Sequence, residues 1–221
     1  MKTYQLDHPT LGSISYSDNK RYLWITSFLM PAFPLMGVFF YYRTGAEWTL
    51  ALPLVVNYLC LPIIDWLIGS DENNPPEELV PQLEQDTYYR ILTCMTVPMH
   101  FVVLIALAYV VGTNDLSIWS VVVTAIVAGG YSGLGINTAH ELGHKQTAIE
   151  QLMAKLALAV PAYGHFCVEH NRGHHVLVAT PDDPASSRMG ESIYAFIWRE
   201  IPGTMVRGWN LEKSRLNTKG L

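Results

Sequence analysis

Residues 116–144 join an apolar run to a metal-binding motif and read LSIWSVVVTAIVAGGYSGLGINTAHELGH. The run at 116–139 is long enough to cross the roughly 30 Å hydrocarbon core of a bilayer as a helix of about 20 residues. His140 and His144 follow it directly, and residues four apart lie on one face of a helix. Because imidazole is the commonest protein metal ligand, this stretch predicts a membrane-spanning helix that ends at a metal site.

Three further apolar runs precede this one, at residues 23–42, 46–68 and 91–112. Only 15% of the 221 residues are charged, whereas about a quarter is usual in a soluble domain. A chain of this length could not bury four such helices inside a soluble fold. We therefore predict an all-α, polytopic membrane helical bundle that forms a single domain over residues 1–221.

The positive charges predict the orientation of the chain. Lys2, Lys20 and Arg21 precede the first run, and nine of the fourteen Lys and Arg residues follow the fourth. Cytoplasmic loops carry an excess of positive charge, so we expect both termini and a metal-binding segment at 140–221 on the cytoplasmic face. The polar first 20 residues lack a signal-peptide pattern, so the first run is expected to stay as an anchor. The net charge of −5 gives no indication of nucleic-acid binding.

A second histidine cluster lies about 30 residues after the first. His170 and His174 repeat the four-residue spacing, and His175 would point about 100° around the helix, where it could reach a second ion. Five histidines exceed the three protein ligands of a catalytic zinc, so we predict a dinuclear centre held by His140, His144, His170, His174 and His175. Iron is favoured because it cycles electrons and zinc does not, while copper remains open on ligand type.

Carboxylates close to these clusters are expected to accept the second ring N–H of a ligand histidine and so to orient it. The candidates are Glu141, Glu169, Asp182 and Asp183. His165 lies five residues before His170, so a supporting or structural role is favoured for it over ligation.

The first cluster, HELGH, also matches the H-E-x-x-H motif of zinc metalloproteases, with Glu141 as the general base. An intramembrane protease would use His140, His144 and one distant ligand, which leaves the second cluster unexplained. A metal transporter would need ligands at mid-membrane depth, whereas both clusters follow the last apolar run. Cys60, Cys94 and Cys167 show no paired spacing, so the sequence predicts neither a disulfide framework nor a thiolate metal site.

The two clusters and their flanking motifs resemble the integral-membrane, non-haem diiron alkane 1-monooxygenases (alkane hydroxylases). The matching stretches are HELGHK at 140–145, EHNRGHH at 169–175, NPPEE at 74–78, VPQLE at 80–84, ATPDDPA at 179–185 and SRMGES at 187–192. The resemblance covers essentially the whole chain from about Tyr22 onward. Histidine clusters alone are shared with membrane fatty-acid desaturases and with hydroxylases of aromatic methyl groups, so these remain alternatives.

The resemblance implies that the five clustered histidines bind two non-haem iron ions. It implies terminal hydroxylation of medium-chain n-alkanes to primary alcohols with O2, and electrons delivered by rubredoxin from an NADH-dependent rubredoxin reductase. We expect a multi-pass protein of the bacterial inner membrane that takes its substrate from the lipid. Asn57, a polar residue in the second run, is a candidate for lining the substrate channel, with ordinary interhelical packing as the alternative.

The sequence also departs from the family's pattern. That pattern includes a third histidine box and a further histidine-bearing motif after two more transmembrane helices, and neither occurs in these 221 residues. We therefore expect a fragment with four of six spans, which alone would be inactive and would not hold a stable diiron centre.

Overall fold

The structure is a computed structural model that describes residues 1–220, and it contains four helices of membrane-spanning length and composition. These helices, spans 1 to 4, are Arg21–Thr44, Glu47–Ile68, Thr87–Thr113 and Ile118–Gly143. The predicted helical membrane bundle is thus confirmed. Span 3 begins four residues earlier than predicted, and span 4 continues for one more turn past the apolar run, into the first histidine cluster.

Prolines interrupt the regular hydrogen bonding of spans 1 and 2, because a proline lacks an N–H and its ring crowds the preceding turn. Span 1 is built from a 3-10 turn, a short α-helix, a second 3-10 turn and a longer α-helix, at Arg21–Ile25, Thr26–Leu29, Met30–Ala32 and Phe33–Thr44. Span 2 consists of a 3-10 turn, an α-helix, a π turn and a second α-helix, at Glu47–Ala51, Leu52–Val55, Val56–Cys60 and Leu61–Ile68. Spans 3 and 4 are single α-helices.

The core of the membrane part lies between spans 3 and 4. Val103 and Leu107 of span 3 pack against Val127 and Tyr131 of span 4, and all four are buried. The Tyr131 hydroxyl donates to the carbonyl of Pro53, which satisfies its polar end inside this core. Large apolar side chains remain exposed on the outer faces of all four spans, as expected of helices that face lipid.

An antiparallel β-hairpin precedes span 1, in a region for which the apolar runs predict no element. Strand β1 is Lys2–His8 and strand β2 is Gly12–Asp18, with Tyr4 opposite Tyr16. Gly12 has a positive φ of 75°, which fits the turn of a three-residue hairpin loop. The all-α prediction therefore holds for the membrane part and misses this hairpin.

Asp86 connects the hairpin to the starts of spans 1 and 3. Its carboxylate accepts hydrogen bonds from Lys2 Nζ and Tyr4 Oη at 2.6 Å and from both terminal nitrogens of Arg21 at 2.8 Å. It also caps span 3 by accepting from the backbone N–H of Tyr88. These hydrogen bonds, above all those from Arg21, hold the pKa of the Asp86 carboxyl well below its ordinary range.

The chain divides into two compact units, Met1–Thr138 and Ala139–Leu221. The first unit holds the hairpin, the membrane core and two short elements between spans 2 and 3, a 3-10 turn at Glu77–Leu79 and an α-helix at Val80–Glu84. The second unit holds the end of span 4 and then the elements Ala148–Ala159, Phe166–Glu169, His170–His174, His175–Leu177 and Ile193–Thr218. All five clustered histidines belong to the second unit.

Candidate metal centre

The first histidine cluster lies where span 4 ends. His140 is in the last turn of Ile118–Gly143, and His144 is the first residue after that helix. Their Nε2 atoms lie 3.0 Å apart. The extra helical turn beyond the apolar run therefore brings the two imidazoles together on one side.

The turn that carries His144 is held by the next helix, Ala148–Ala159. Gln151 donates from its side-chain amide to the carbonyl oxygens of Gly143 and Lys145, at 2.7 and 2.6 Å. Carbonyls at a helix C-terminus lack partners within the helix, so these hydrogen bonds satisfy the backbone carbonyls on both sides of His144. The backbone around the first cluster is therefore fixed by a hydrogen-bonding side chain.

The second cluster adopts a π turn. His170–His174 follows the short α-helix Phe166–Glu169, and its hydrogen bonds join residues five apart. Consequently His175 lies beside His170, with 3.1 Å between their Nε2 atoms. The α-helical geometry assumed from the sequence, which paired His170 with His174 and turned His175 away, is therefore wrong for this segment.

Four of the five histidines converge. One ring nitrogen from each of His140, His144, His170 and His175 lies within 4.8 Å of all the others. Two nitrogens bound to one ion at about 2.1 Å and at a right angle would be about 3.0 Å apart, close to the separations observed within each pair. The nitrogen separation within each pair therefore fits two ligands of one divalent transition-metal ion.

The surroundings of His144 and His170 favour the neutral form of these two imidazoles. Burial, followed by the proximity of the other four clustered histidines, lowers the pKa of His170 to about 4. Burial and the neighbouring His140 and His175 also lower the pKa of His144. A metal ion binds the neutral imidazole, so these ligands need not release a proton at neutral pH before they bind.

His174 lies outside this group of four. Its ring is stacked on that of His170 at a centroid distance of 5.3 Å, and its Nδ1 lies 2.8 Å from Asp183 Oδ2. An ionised carboxylate can only accept a hydrogen bond, so Nδ1 carries the proton and the lone pair is on Nε2. The structure thus supports the predicted contact between Asp183 and a histidine of the cluster.

Asp183 is fully buried and is held by several donors. The hydroxyl of Ser186 and the guanidinium of Arg207 donate to it in addition to His174. Burial alone would raise its pKa, but these hydrogen bonds outweigh burial and lower the pKa of Asp183 to about 2. Arg207, on the helix Ile193–Thr218, was not singled out from the sequence.

The other predicted supporting residues take different positions. Glu169 is buried and accepts hydrogen bonds from Arg207 instead of from a histidine. Glu141 is 67% exposed at its side chain, and its carboxylate is 3.9 Å from His140 Nδ1, beyond hydrogen-bonding distance. His165 packs its ring against Tyr163.

The remaining two candidates differ in their surroundings. Asp182 is exposed, next to the buried Asp183. Asn57 is half-buried in the π turn of span 2, where it lines a cavity of about 270 Å³ in the first unit.

Comparison with known proteins gives the family of this sequence. The Fatty acid desaturase family matches residues 117–219, which include both histidine clusters. The alkane 1-monooxygenase of Ectopseudomonas oleovorans is 52% identical over 96% of this chain and 53% of its own length. The sequence belongs to the alkane 1-monooxygenase family. The resemblance carried by the histidine clusters and their flanking motifs is thereby confirmed.

Two further alkane 1-monooxygenases show the same extent of similarity. The enzyme of Pseudomonas putida is 51% identical and alkane 1-monooxygenase 1 of Alcanivorax borkumensis is 50% identical, each over 93% of this chain and 51% of its own length. The chain thus spans about half the length of the curated relatives it matches. Family and geometry together indicate a metal cofactor at the four converging histidines.

Proposed function

We propose that this protein hydroxylates the terminal methyl group of medium-chain n-alkanes and forms primary alcohols with O2. The observation that carries the proposal is the convergence of four imidazoles in a sequence about 50% identical to alkane 1-monooxygenases. The cofactor we propose is a non-haem diiron centre with His140, His144, His170, His174 and His175 as ligands. When bound, iron would supply the redox chemistry that O2 activation requires and that zinc cannot provide.

The histidines contribute position and charge to this site. Two elements, the end of span 4 and the π turn, each present a pair of imidazoles, so the four nitrogens are pre-arranged before metal binds. His174 is oriented separately through Asp183, which supports a role for it beside the group of four. Such an arrangement supports a centre in which the second cluster contributes to more than one ion.

We further propose that Asn57 lines the path of the substrate. The cavity beside it is bounded by apolar side chains from spans 2 and 4, including Leu54, Ile126 and Leu134. An apolar lining suits an alkyl chain, which offers no hydrogen-bonding group. Asn57→Phe should therefore shorten the longest alkane that is accepted. An unchanged product distribution would count against this role.

We infer that the protein lies in the bacterial inner membrane with its N-terminus and histidine clusters on the cytoplasmic side. Nine of the fourteen Lys and Arg residues follow span 4, which supports this orientation. A cytoplasmic metal site would be accessible to soluble rubredoxin, which we propose as the electron donor, reduced in turn by an NADH-dependent reductase. The n-alkane would enter from the membrane lipid.

A desaturase or a hydroxylase of aromatic methyl groups is a second candidate, because the Fatty acid desaturase family also matches both clusters. The products separate these functions: a desaturase forms a double bond and an aromatic-methyl hydroxylase a benzylic alcohol. An intramembrane zinc protease is disfavoured, since a catalytic zinc needs three protein ligands, whereas four imidazoles converge in the structure.

The proposed function is tested with membranes from cells that express the full-length gene that contains this sequence, in a host without its own alkane hydroxylase. The membranes receive rubredoxin, its reductase, NADH and n-alkanes from hexane to dodecane, and the products are separated by gas chromatography. We expect 1-alkanols, no product from His144→Ala, and unchanged yield from His8→Ala, whose histidine is in the hairpin. Absence of 1-alkanol at every chain length would contradict the proposal.

A further inference from the structure

We propose that Arg207 is a positioning residue that, through Asp183, keeps His174 in a single tautomer with its Nε2 lone pair available to a metal ion. This inference rests on the proposed function only in that His174 binds a metal ion. It concerns two buried carboxylates and a partly buried guanidinium next to the second cluster, which we call the Arg207 network: Asp183, Glu169 and Arg207.

The Asp183 carboxylate is shared between the network and the metal site. Arg207 Nη2 donates to Oδ1 at 2.7 Å, and His174 Nδ1 donates to Oδ2 at 2.8 Å. Ser186 Oγ donates to Oδ2 at 2.5 Å, and the backbone N–H of Ala185 donates to Oδ1 at 3.1 Å. With both oxygens held, the carboxylate cannot rotate away from His174 without breaking several charge-assisted hydrogen bonds.

Arg207 is itself fixed from the opposite side. Its Nε donates to Glu169 Oε1 at 2.8 Å, and Nη2 donates to the same oxygen. The π turn approaches its guanidinium so closely that a Cβ on Gly173 would lie 2.7 Å from Nε. The position of Arg207 is therefore determined by the segment that carries the histidines, and Arg207 in turn holds the loop that carries Asp183.

Burial makes Arg207 necessary in this arrangement. The side chains of Asp183 and Glu169 are 0% and 2% exposed, and that of Arg207 is 15% exposed. Removal of the guanidinium would leave two carboxylates facing each other in a region of low dielectric without a countercharge. Their repulsion and the lost bond to Oδ1 would turn the Asp183 carboxylate and release Nδ1 of His174.

A second arginine on the same helix provides a matched control. Arg199 donates to both carboxylate oxygens of Glu191, at 3.0 and 2.7 Å, and to the carbonyls of Pro184 and Ser186. It thus anchors the same loop to the helix Ile193–Thr218, but it makes none of these bonds to Asp183. Loss of Arg199 tests loop anchoring alone.

The tautomer of His174 is read by nuclear magnetic resonance of metal-free protein with 15N-labelled histidine, and the His174 signals are assigned by their loss in His174→Gln. The four variants are Arg207→Gln, Glu169→Gln, the double variant Glu169→Gln/Arg207→Gln and Arg199→Gln. The double variant removes one negative and one positive charge together, so it keeps the formal charge balance of the core if Arg207→Gln alone fails to fold. Circular dichroism checks the fold of each.

We expect a proton on Nδ1 alone in the unchanged protein, in Glu169→Gln and in Arg199→Gln. In Arg207→Gln and in the double variant we expect a mixture of tautomers. A Co²⁺ ion bound through His174 should bind about 10- to 100-fold more weakly in Arg207→Gln. Its affinity should be unchanged in Arg199→Gln. A folded double variant that keeps the single Nδ1–H tautomer would overturn the proposal.

The two hypotheses fail separately. If the tautomer responds as expected but no 1-alkanol forms, the proposed function is wrong and the role of Arg207 stands. If 1-alkanol forms but the tautomer is the same with and without Arg207, the role of Arg207 is wrong and the proposed function stands.

Discussion

His170 and His175 lie five residues apart in the chain, yet their Nε2 atoms are 3.1 Å apart. The π turn at His170–His174 produces this contact, because it places residues five apart on one side of the helix. The same turn directs His174 to Asp183. One histidine cluster is thereby divided between a group of four converging imidazoles and a separately oriented fifth.

Glu141→Gln distinguishes a histidine-built metal centre from a zinc protease. The Glu141 side chain is 67% exposed and makes no hydrogen bond to His140 in the structure. We expect its replacement to change Co²⁺ affinity and alkane hydroxylation by no more than about twofold, as for a surface substitution worth about 0.5 kcal/mol. Metal titration and product assays measure both, and complete loss of hydroxylation in Glu141→Gln would contradict this prediction.

Gly173→Ala should destabilise the second unit, although replacing glycine with alanine in a helix usually stabilises it. The added Cβ would lie 2.7 Å from Arg207 Nε and 3.0 Å from Glu169 Oε1, so this buried ion pair would have to move. We expect a loss of about 1–3 kcal/mol in the free energy of unfolding, measured by circular dichroism in mixed detergent micelles. Gly164→Ala is the control, because its Cβ would meet nothing within 4 Å; equal effects of the two variants would contradict this prediction.

Asp86→Asn should loosen the attachment of the hairpin to the membrane part. The Asp86 side chain is 3% exposed and that of its partner Arg21 is 12% exposed, so the substitution leaves a buried cation without its partner. We expect a loss of about 3–5 kcal/mol in unfolding free energy. The exposed pair of Lys20 and Asp71 provides the comparison, and Asp71→Asn should cost less than about 1 kcal/mol. If both substitutions lower the free energy of unfolding by the same amount, Asp86 does not anchor the hairpin to the membrane part.

The pair of Glu191 and Arg199 should make stability depend on pH in acid. Hydrogen bonds from Arg199, above all, and from the backbone of Arg188 lower the pKa of Glu191 to about 2, below its ordinary value of 4.5. Between these values the unfolded chain binds a proton that the folded chain does not, so stability rises with pH. The contribution is complete above about pH 4.5 and is lost as pH falls towards about 2. As pH falls through this range, the difference in unfolding free energy between the unchanged protein and Glu191→Gln should shrink. A difference that stays constant would contradict the assignment.

The sequence predicted the membrane helices well because long apolar runs have few alternatives in water or lipid. It also predicted the metal-binding histidine clusters, since a dense group of imidazoles has few other uses. The contact of Asp183 with His174 was among the expected carboxylate contacts. The pairing within the second cluster was wrong, because a regular α-helix was assumed for residues 170–175 and no sequence pattern indicated the extra residue of a π turn.

The hairpin and Arg207 were missed for different reasons. The alternation of Tyr4 and Leu6 in strand β1, and of Ile14 and Tyr16 in strand β2, is a period-two pattern that was available in the sequence. Arg207 gave no such signal, because its importance comes from two carboxylates brought to it by distant segments. Long-range ion pairs of this kind depend on the tertiary fold and cannot be read from local spacing.

The most direct test of the four-histidine centre is Co²⁺ titration of the purified chain in detergent, followed by its visible absorption, with His175→Ala compared with His174→Ala. The structure places His175 within the converging group and His174 outside it. We therefore expect the first Co²⁺ ion to bind tightly to the unchanged chain and to His174→Ala, with loss of that binding in His175→Ala. Loss of the first ion in His174→Ala, together with its retention in His175→Ala, would contradict the proposed centre.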